Sequence, residues 1–289
     1  MSVLTTRPAA PSKWRYTVGR LVLLIVVIVS IAVVDARWER LADAPPLFAR
    51  YSLLMLEGVG HNPGSDPYLD YWSVAVDLMF ESLQIAWVGT VIGAALSFPL
   101  GFLAASNVAS PPIVFFVRQI LNVIRAIPEL ILAIAVMLPL FGLGPLAGAL
   151  AIGIGSVGTL GKLTSEAIEG IDRGPVDAVR STGGNALQVL RWGVLPQILP
   201  EVVAFWLYRF EINIRASAIL GVVGAGGIGS LLSQLFDRRL WDRIGITIVV
   251  IIVVTIIVDQ ISEAIRHRII SGPQASATTG PTTETSTPR

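Results

Sequence analysis

Apolar residues dominate six long runs of this chain: Tyr16–Val34, Leu78–Ala105, Pro112–Leu143 with an interruption at Pro128, Pro145–Leu163, Val202–Val223 and Ile244–Ile261. At ~1.5 Å per residue, a helix of this length crosses a hydrocarbon layer of ~30 Å. The pattern predicts an all-α polytopic membrane protein with six transmembrane helices. Between the fourth and fifth runs lies a polar island, residues 177–200, reading DAVRSTGGNALQVLRWGVLPQILP. It predicts two short helices, broken at Gly183-Gly184 and closed by Pro196 and Pro200.

The charges between runs set an expected topology. The first run is longer than a signal-peptide core of ~7–15 residues, so it reads as an uncleaved anchor, residues 16–34. Arg7, Lys13 and Arg15 precede it, with Arg20 at its edge. The positive-inside rule therefore places residues 1–15 in the cytoplasm. In the segment 35–77, Asp35, Glu39, Asp43, Glu57, Asp66 and Asp70 outweigh Arg37, Arg40 and Arg50, which suits an extracytoplasmic loop. Leu47, Phe48, Tyr51, Leu53 and Leu54 suggest a short helix on the membrane surface there. Six spans return the C-terminus to the cytoplasm, where Arg266, His267 and Arg268 follow the last run. Lys162, Arg173, Arg180 and Arg191 put the island on that same side. The loop holding Asp237, Arg238, Arg239, Asp242 and Arg243 departs from the rule, with an arginine excess outside. The tail 271–289 is rich in Ser, Thr and Pro and is expected to be disordered.

Composition agrees with the pattern. The chain of 289 residues is 53% hydrophobic and 14% charged, against ~25% charged for a soluble domain. A net charge of +1 gives no reason to expect nucleic acid as a partner. With no cysteine there is no disulfide, thiol catalysis or thiolate metal site. His61 and His267 stand far apart, with no other metal ligands clustered near them, so no metal site is expected.

Charge inside the runs is costly and therefore informative. In the third run Arg118, Asn122, Arg125 and Glu129 recur at spacings that draw one polar stripe along a helix. One reading pairs Arg125 with Glu129 and lets Arg118 snorkel. The other lines the cytoplasmic half of a pathway. In the fifth run, Glu211 and Arg215 are spaced to pair within the helix, which leaves Arg209 without an in-helix carboxylate. Either these charges fix a helix–helix contact, or Arg209, Glu211 and Arg215 with Arg125 and Glu129 form a lining for an anion. Glycines at 89 and 93, at 144 and 148, and at 153, 155, 158 and 161 predict close helix packing. The run GVVGAGGIG at 221–229 is too glycine-rich for a straight helix and predicts a break or gate at Gly224, Gly226, Gly227 and Gly229. The segment Ser156–Thr164 lacks the first glycine and the strand context of a phosphate-binding loop. No catalytic residues and no nucleotide site are expected, so if the chain serves active transport, the energy comes from another subunit.

The island reads as a docking element. Gly174-Pro175 is expected to open a helix with Asp177 near its N-terminus. Asn185-x-x-Gln188 has the form of a capping box. Leu187, Leu190, Val194 and Leu195 suggest an apolar face for a partner's groove. Asp177-Ala178-Val179-x-x-x-Gly183-x(9)-Gly193-Val194-Leu195-Pro196 resembles the E-A-A-x-x-x-G-x(9)-I-x-L-P loop of binding-protein-dependent ABC importer permeases. Asp, Val and Gly replace Glu, Ala and Ile. The segments NVIRAIPELILA, SEAIEGIDRGPVDAVRSTGGNALQVLRWGVLPQILP and RFEINIRASAILGVVGAGGIG are similar to the phosphonate-type members of that family.

The resemblance implies a type I ABC importer permease core at 78–265 with one extra N-terminal helix. It implies a cytoplasmic coupling loop at 166–200, in which Asp177, Ala178, Gly183, Gly184, Leu187, Leu190, Leu195 and Pro196 meet the ATPase. The implied partners are a second permease copy, two ABC ATPase subunits that hold ATP and Mg, an extracytoplasmic substrate-binding protein and the lipid bilayer. The implied cargo is phosphonate, phosphite or phosphate. Two other readings stay open: a permease of the same type for another solute such as methionine or an organic cation, and an integral membrane enzyme. Against the enzyme, Glu129 and Glu211 each have a nearby arginine and no histidine.

Overall fold

The computed structural model describes residues 14–34, 36–61 and 68–270, and among them every regular element is helical. In chain order these are α1 (Trp14–Val33), α2 (Arg40–Gly60), α3 (Tyr68–Ala104), α4 (Pro111–Ala126), α5 (Glu129–Leu132), α6 (Leu138–Phe141), α7 (Pro145–Glu169), α8 (Arg173–Ser181), α9 (Ala186–Gln188), α10 (Leu195–Leu220), α11 (Ile228–Asp237) and α12 (Trp241–Ile270). Wider π-helical turns fill Ala133–Met137, Val189–Val194 and Gly221–Ala225. The tail 271–289 and most of the segment 1–15 lie outside the described residues.

The described residues up to Ser52 form one compact unit and those from Leu53 onward another. In the first, α1 exposes apolar side chains around its whole circumference, as a helix in lipid does. The second unit is a bundle around α3, α7 and α10. Among the described residues, four helices are long and apolar enough to cross a membrane, and two bent pairs bring the number to six when each counts as one span.

The spans depart from their expected ends for physical reasons. Helix α3 starts at Tyr68 rather than near Leu78, because Ala75 and Met79 bury against Ile214, Ile228, Leu231, Leu235 and Ile244. Arg243 stacks 4.2 Å over the Tyr71 ring and so ties the start of α12 to this extension. Much of the segment expected as an outer loop is thus helix, in α2 and the head of α3. The third span is more than kinked. Ile127 and Pro128 adopt extended backbone, and the two halves meet at 87°. Helix α7 runs on to Glu169, where Ile168 is buried and Glu169 accepts from Arg118 at 2.6 Å. Helix α10 begins at Leu195, so Pro196 and Pro200 do not close the island but stand inside a helix continuous with the fifth span. Pro196 occupies the first turn, where a missing donor is harmless.

Of the glycines expected to pack closely, Gly144 instead faces open space at a φ of +140°, where it serves the turn into α7, and the others lie against neighbouring helices. A Cβ on Gly93 would sit 2.6 Å from that of Ser156, and one on Gly158 would sit 2.8 Å from the Leu121 carbonyl. Helix α7 therefore lies against α3 and α4 at backbone distance.

Candidate functional site

The polar island folds into a lobe at one end of the bundle. Its first helix is capped by Asp172, whose carboxylate accepts from the Gly174 backbone N–H at 3.0 Å, so α8 opens two residues before the expected Gly174-Pro175 start. Gly183 takes a positive φ of +80° and ends that helix. Asn185 and Gln188 form the capping box in full: the Asn185 carboxamide accepts from Gln188 N at 2.9 Å, and Gln188 accepts from Asn185 N at 2.8 Å.

The apolar side chains divide. Val176, Val189 and Val194 turn inward with Ile168, Ile198 and Val202, and Leu190 and Leu195 pack against them. The expected outward face of Leu187, Leu190, Val194 and Leu195 is therefore not one face. The lobe needs its own core to hold its turns together, and this consumes all but Leu187. Leu187 and Trp192 remain 71% and 63% exposed. A recess of about 650 Å³ opens in the lobe, lined in part by Asn107, Arg173, Asp177, Arg180 and Gly184. Asp177 and Ala178 are exposed on α8, and Pro196 on the first turn of α10.

Helix α10 carries the second constellation. Arg209, Glu211 and Arg215 each reach a different neighbour. Arg209 pairs with Glu129, the first residue after the elbow of the third span, and its Nε donates to Ser156 Oγ at 2.9 Å. Glu211 accepts from Arg266 of α12. Arg215 lies 3.5 Å from Asp259 of α12. The expected pairs, Arg125 with Glu129 and Glu211 with Arg215, do not form. The elbow carries Glu129 off the α4 face, and α12 brings its own charges to α10. The stripe from Arg118 to Glu129 is broken at the same place. Arg118 is bound to Glu169 and to the Ala104 carbonyl at 2.9 Å, while Arg125 is exposed and forms no ion pair with a described residue.

The network extends to residues the sequence did not single out. Asn213 is fully buried and donates to Thr90 Oγ1 at 2.9 Å and to Ser156 Oγ at 3.2 Å. Four helix segments thus meet at one polar knot: Thr90 of α3, Glu129 of α5, Ser156 of α7, and Arg209 with Asn213 of α10. Gly155 makes room for the Glu129 stem, since a Cβ there would sit 2.7 Å from Glu129 Cγ. The spacing of Arg209 and Asn213, one turn apart, was the available signal.

At the far end of α10 the glycine run unwinds at Gly224, Gly226 and Gly227, whereas Gly229, expected within the break, lies in the first turn of α11. Gly224, Gly226 and Gly227 hold φ of +99°, +81° and +67°, and α11 restarts at Ile228 across a 56° bend. Ser82 of α3 pins the break: its Oγ accepts from Ile228 N–H at 2.9 Å, and its carbonyl accepts from Ser217 Oγ at 3.0 Å. Gly229 packs against Gly221 with no space for a side chain. Among the described residues, no three His, Cys, Asp or Glu side chains gather where they could hold a metal ion.

A bent-span helical bundle, a capped polar lobe at one end and a glycine break at the other define a multi-pass membrane protein of the transporter kind. The chain belongs to the family described as binding-protein-dependent transport system inner membrane component, which matches residues 97–271. That family is one of transport-system components, not of enzymes. The chain is 44% identical over 202 residues to the phosphate-import permease protein PhnE of Mycolicibacterium smegmatis, covering 68% of this chain and 38% of that protein. It therefore spans well under half the length of that relative. It is 40% identical over 189 residues to the phosphite transport system permease protein PtxC of Stutzerimonas stutzeri, covering 65% of this chain and 68% of the relative. Its fold is similar to a chain of the MetNI methionine ABC transporter solved in inward-facing conformations. The TM-score is 0.61 at 22% identity, over 71% of this chain and 99% of that one.

Proposed function

We propose that this chain is the permease subunit of an ATP-driven importer for phosphonate or a related phosphorus oxyanion, phosphate and phosphite included. The observation that carries this reading is the capped lobe joined without interruption to a helix bearing arginines at membrane depth. Two such chains pair, and each lobe docks an ABC ATPase that holds ATP and Mg. An extracytoplasmic binding protein delivers the cargo at the glycine break. The lobe and both termini face the cytoplasm.

Asp177, Ala178, Gly183, Gly184 and Leu187 meet the ATPase, while Leu190, Leu195 and Pro196 shape the lobe from behind. Arg125 and Arg215, the exposed arginines, face the pathway. Arg209, Glu129 and Glu211 set its walls through their ion pairs. Gly224, Gly226, Gly227 and Gly229 form the outer gate.

The test is uptake by vesicles holding the permease, its ATPases and its binding protein, with labelled phosphonate, phosphite, phosphate and methionine. ATP-dependent accumulation of a phosphorus oxyanion is expected, with a clear loss in Arg215→Ala at equal complex assembly. Uptake of methionine alone would remove the oxyanion reading. Full uptake by Arg215→Ala would remove that arginine from the pathway.

A further inference from the structure

The lobe is closed at its base by one side chain. Gln197 stands in the first turn of α10, half-buried, and its carboxamide is used completely. Oε1 accepts from the Asp172 backbone N–H at 3.0 Å. The two hydrogens of Nε2 go to the Asp172 carbonyl at 3.1 Å and the Gly193 carbonyl at 2.6 Å. Asp172 is the residue at which the chain enters the lobe, and Gly193 lies in the π-helical turn through which it leaves. The amide thus pairs with both backbone groups of the entry residue, as a neighbouring strand would, while binding the exit. Few side chains satisfy this geometry. It needs one acceptor and two donors in a plane, at the reach of a glutamine stem.

We infer that Gln197 is the positioning residue that makes the docking lobe and α10 move as one body, so that a push on the lobe becomes a displacement of α10. This rests on the reading of 166–200 as the ATPase-docking loop. The exit turn runs straight into α10, and the entry side at α8 is held to that helix by the shared apolar core of Val176, Val189, Val194, Ile168, Ile198 and Val202 and by this neck. The apolar contacts are non-directional and permit sliding, whereas three hydrogen bonds from one planar group fix both distance and orientation. With the neck intact, motion at Leu187 or Asp177 is transmitted through Gln197 into the helix that carries Arg209, Arg215 and the gate. With the neck cut, the lobe still docks, but its entry helix α8 swings without carrying α10.

The experiment compares wild type with Gln197→Leu and Gln197→Glu in the full vesicle-embedded complex. The glutamate keeps the shape and the acceptor but presents no donor to the two carbonyls. The readout is substrate accumulated per ATP hydrolysed, at matched ATPase stoichiometry. Both variants are expected to lower this ratio by about fivefold or more, the low end of inter-site couplings. A fall in uptake and hydrolysis together, with the ratio unchanged, would show a merely structural role and overturn the inference.

Hydrogen exchange on the wild-type complex supplies a measurement that needs no variant to fold. The Asp172 amide is expected to stay protected both without nucleotide and with ATP trapped. Loss of protection in either state means the neck opens during the cycle, which also overturns the inference. A wild-type complex that drives no ATP-dependent uptake strikes the functional reading instead, while the amide protection is still read independently.

Discussion

Arg209 is 9% exposed, and among the described residues the only carboxylate it meets is Glu129. Taking both ions out of water is expensive, so the pair itself is weak evidence for stability. Removing one partner is a different matter, because it leaves the other charge buried and unpaired, at ~3–5 kcal/mol. Glu129→Gln and Arg209→Gln are therefore each expected to lower the melting temperature of the purified protein strongly. The double substitution is expected to recover part of that loss, because neither charge is then stranded. Thermal melts of the three variants form a double-mutant cycle. Additive losses would mean the two side chains do not act as a pair. The pair also has a location that matters: it fastens the first residue beyond the Pro128 elbow to the middle of α10. Ser156 accepts from the guanidinium and is itself held by Asn213, which also donates to Thr90, so uncharged groups orient Arg209 without competing for its charge.

At the scale of elements, the glycine break between α10 and α11 is held by geometry that only certain residues permit. Gly227 combines a φ of +67° with a Cβ direction that points at Ser82, whose hydroxyl caps the Ile228 N–H. Gly227→Ala is therefore expected to strain the backbone and displace the cap together, at about 1–3 kcal/mol. Ser82→Ala removes only the cap and is expected to cost about 1 kcal/mol. Proteolysis or hydrogen exchange across 221–230 reads the difference: opening confined to this segment in Ser82→Ala, and a larger opening in Gly227→Ala. Equal protection in wild type and both variants would show that the break is held by something else.

The glycine run was legible in the sequence because conformational freedom is written in composition. The capping box at Asn185 and Gln188 was legible because it is local. Span ends at Tyr68 and Glu169 were not, since hydropathy stops where burial by neighbouring helices continues. The ion pairs were misread for the same reason. Spacing along one helix shows Glu211 beside Arg215, but Asp259 and Arg266 arrive from α12, and nothing in the local sequence announces them. Gln197 was hidden more deeply still, as its partners are backbone groups distant in the chain.

At the scale of the whole molecule, α10 is the one element that touches every working part. Its 26 residues, ~39 Å at ~1.5 Å per residue, run from the neck at Gln197 past the polar knot at Arg209 to the glycine break at Gly221. One stripe of this helix is left uncovered. Glu201, Tyr208 and Arg215 are exposed at heptad spacing, with Ile219 beside them and Phe205 and Ile212 half-buried along the same line. Such a seam suits a facing helix, and a two-fold pairing would bring the stripe of one copy against that of another. The pairing would also set two Arg215 side chains around a common axis. Each is held on one side by Asp259, whose Oδ1 has no hydrogen-bond partner. A divalent oxyanion between two guanidinium groups would be matched in charge, whereas a single copy offers it one half-exposed cation. The chain contains no cysteine, so a single introduced thiol reports on this arrangement cleanly. Tyr208→Cys and Ile219→Cys are each expected to give oxidised dimers in native membranes, read as a doubled mass on non-reducing gels. Val202→Cys, fully buried behind the stripe, is expected to stay monomeric. Dimers from the buried position with none from the stripe would place the partner on another face of the bundle, and the arginines would then not share an axis.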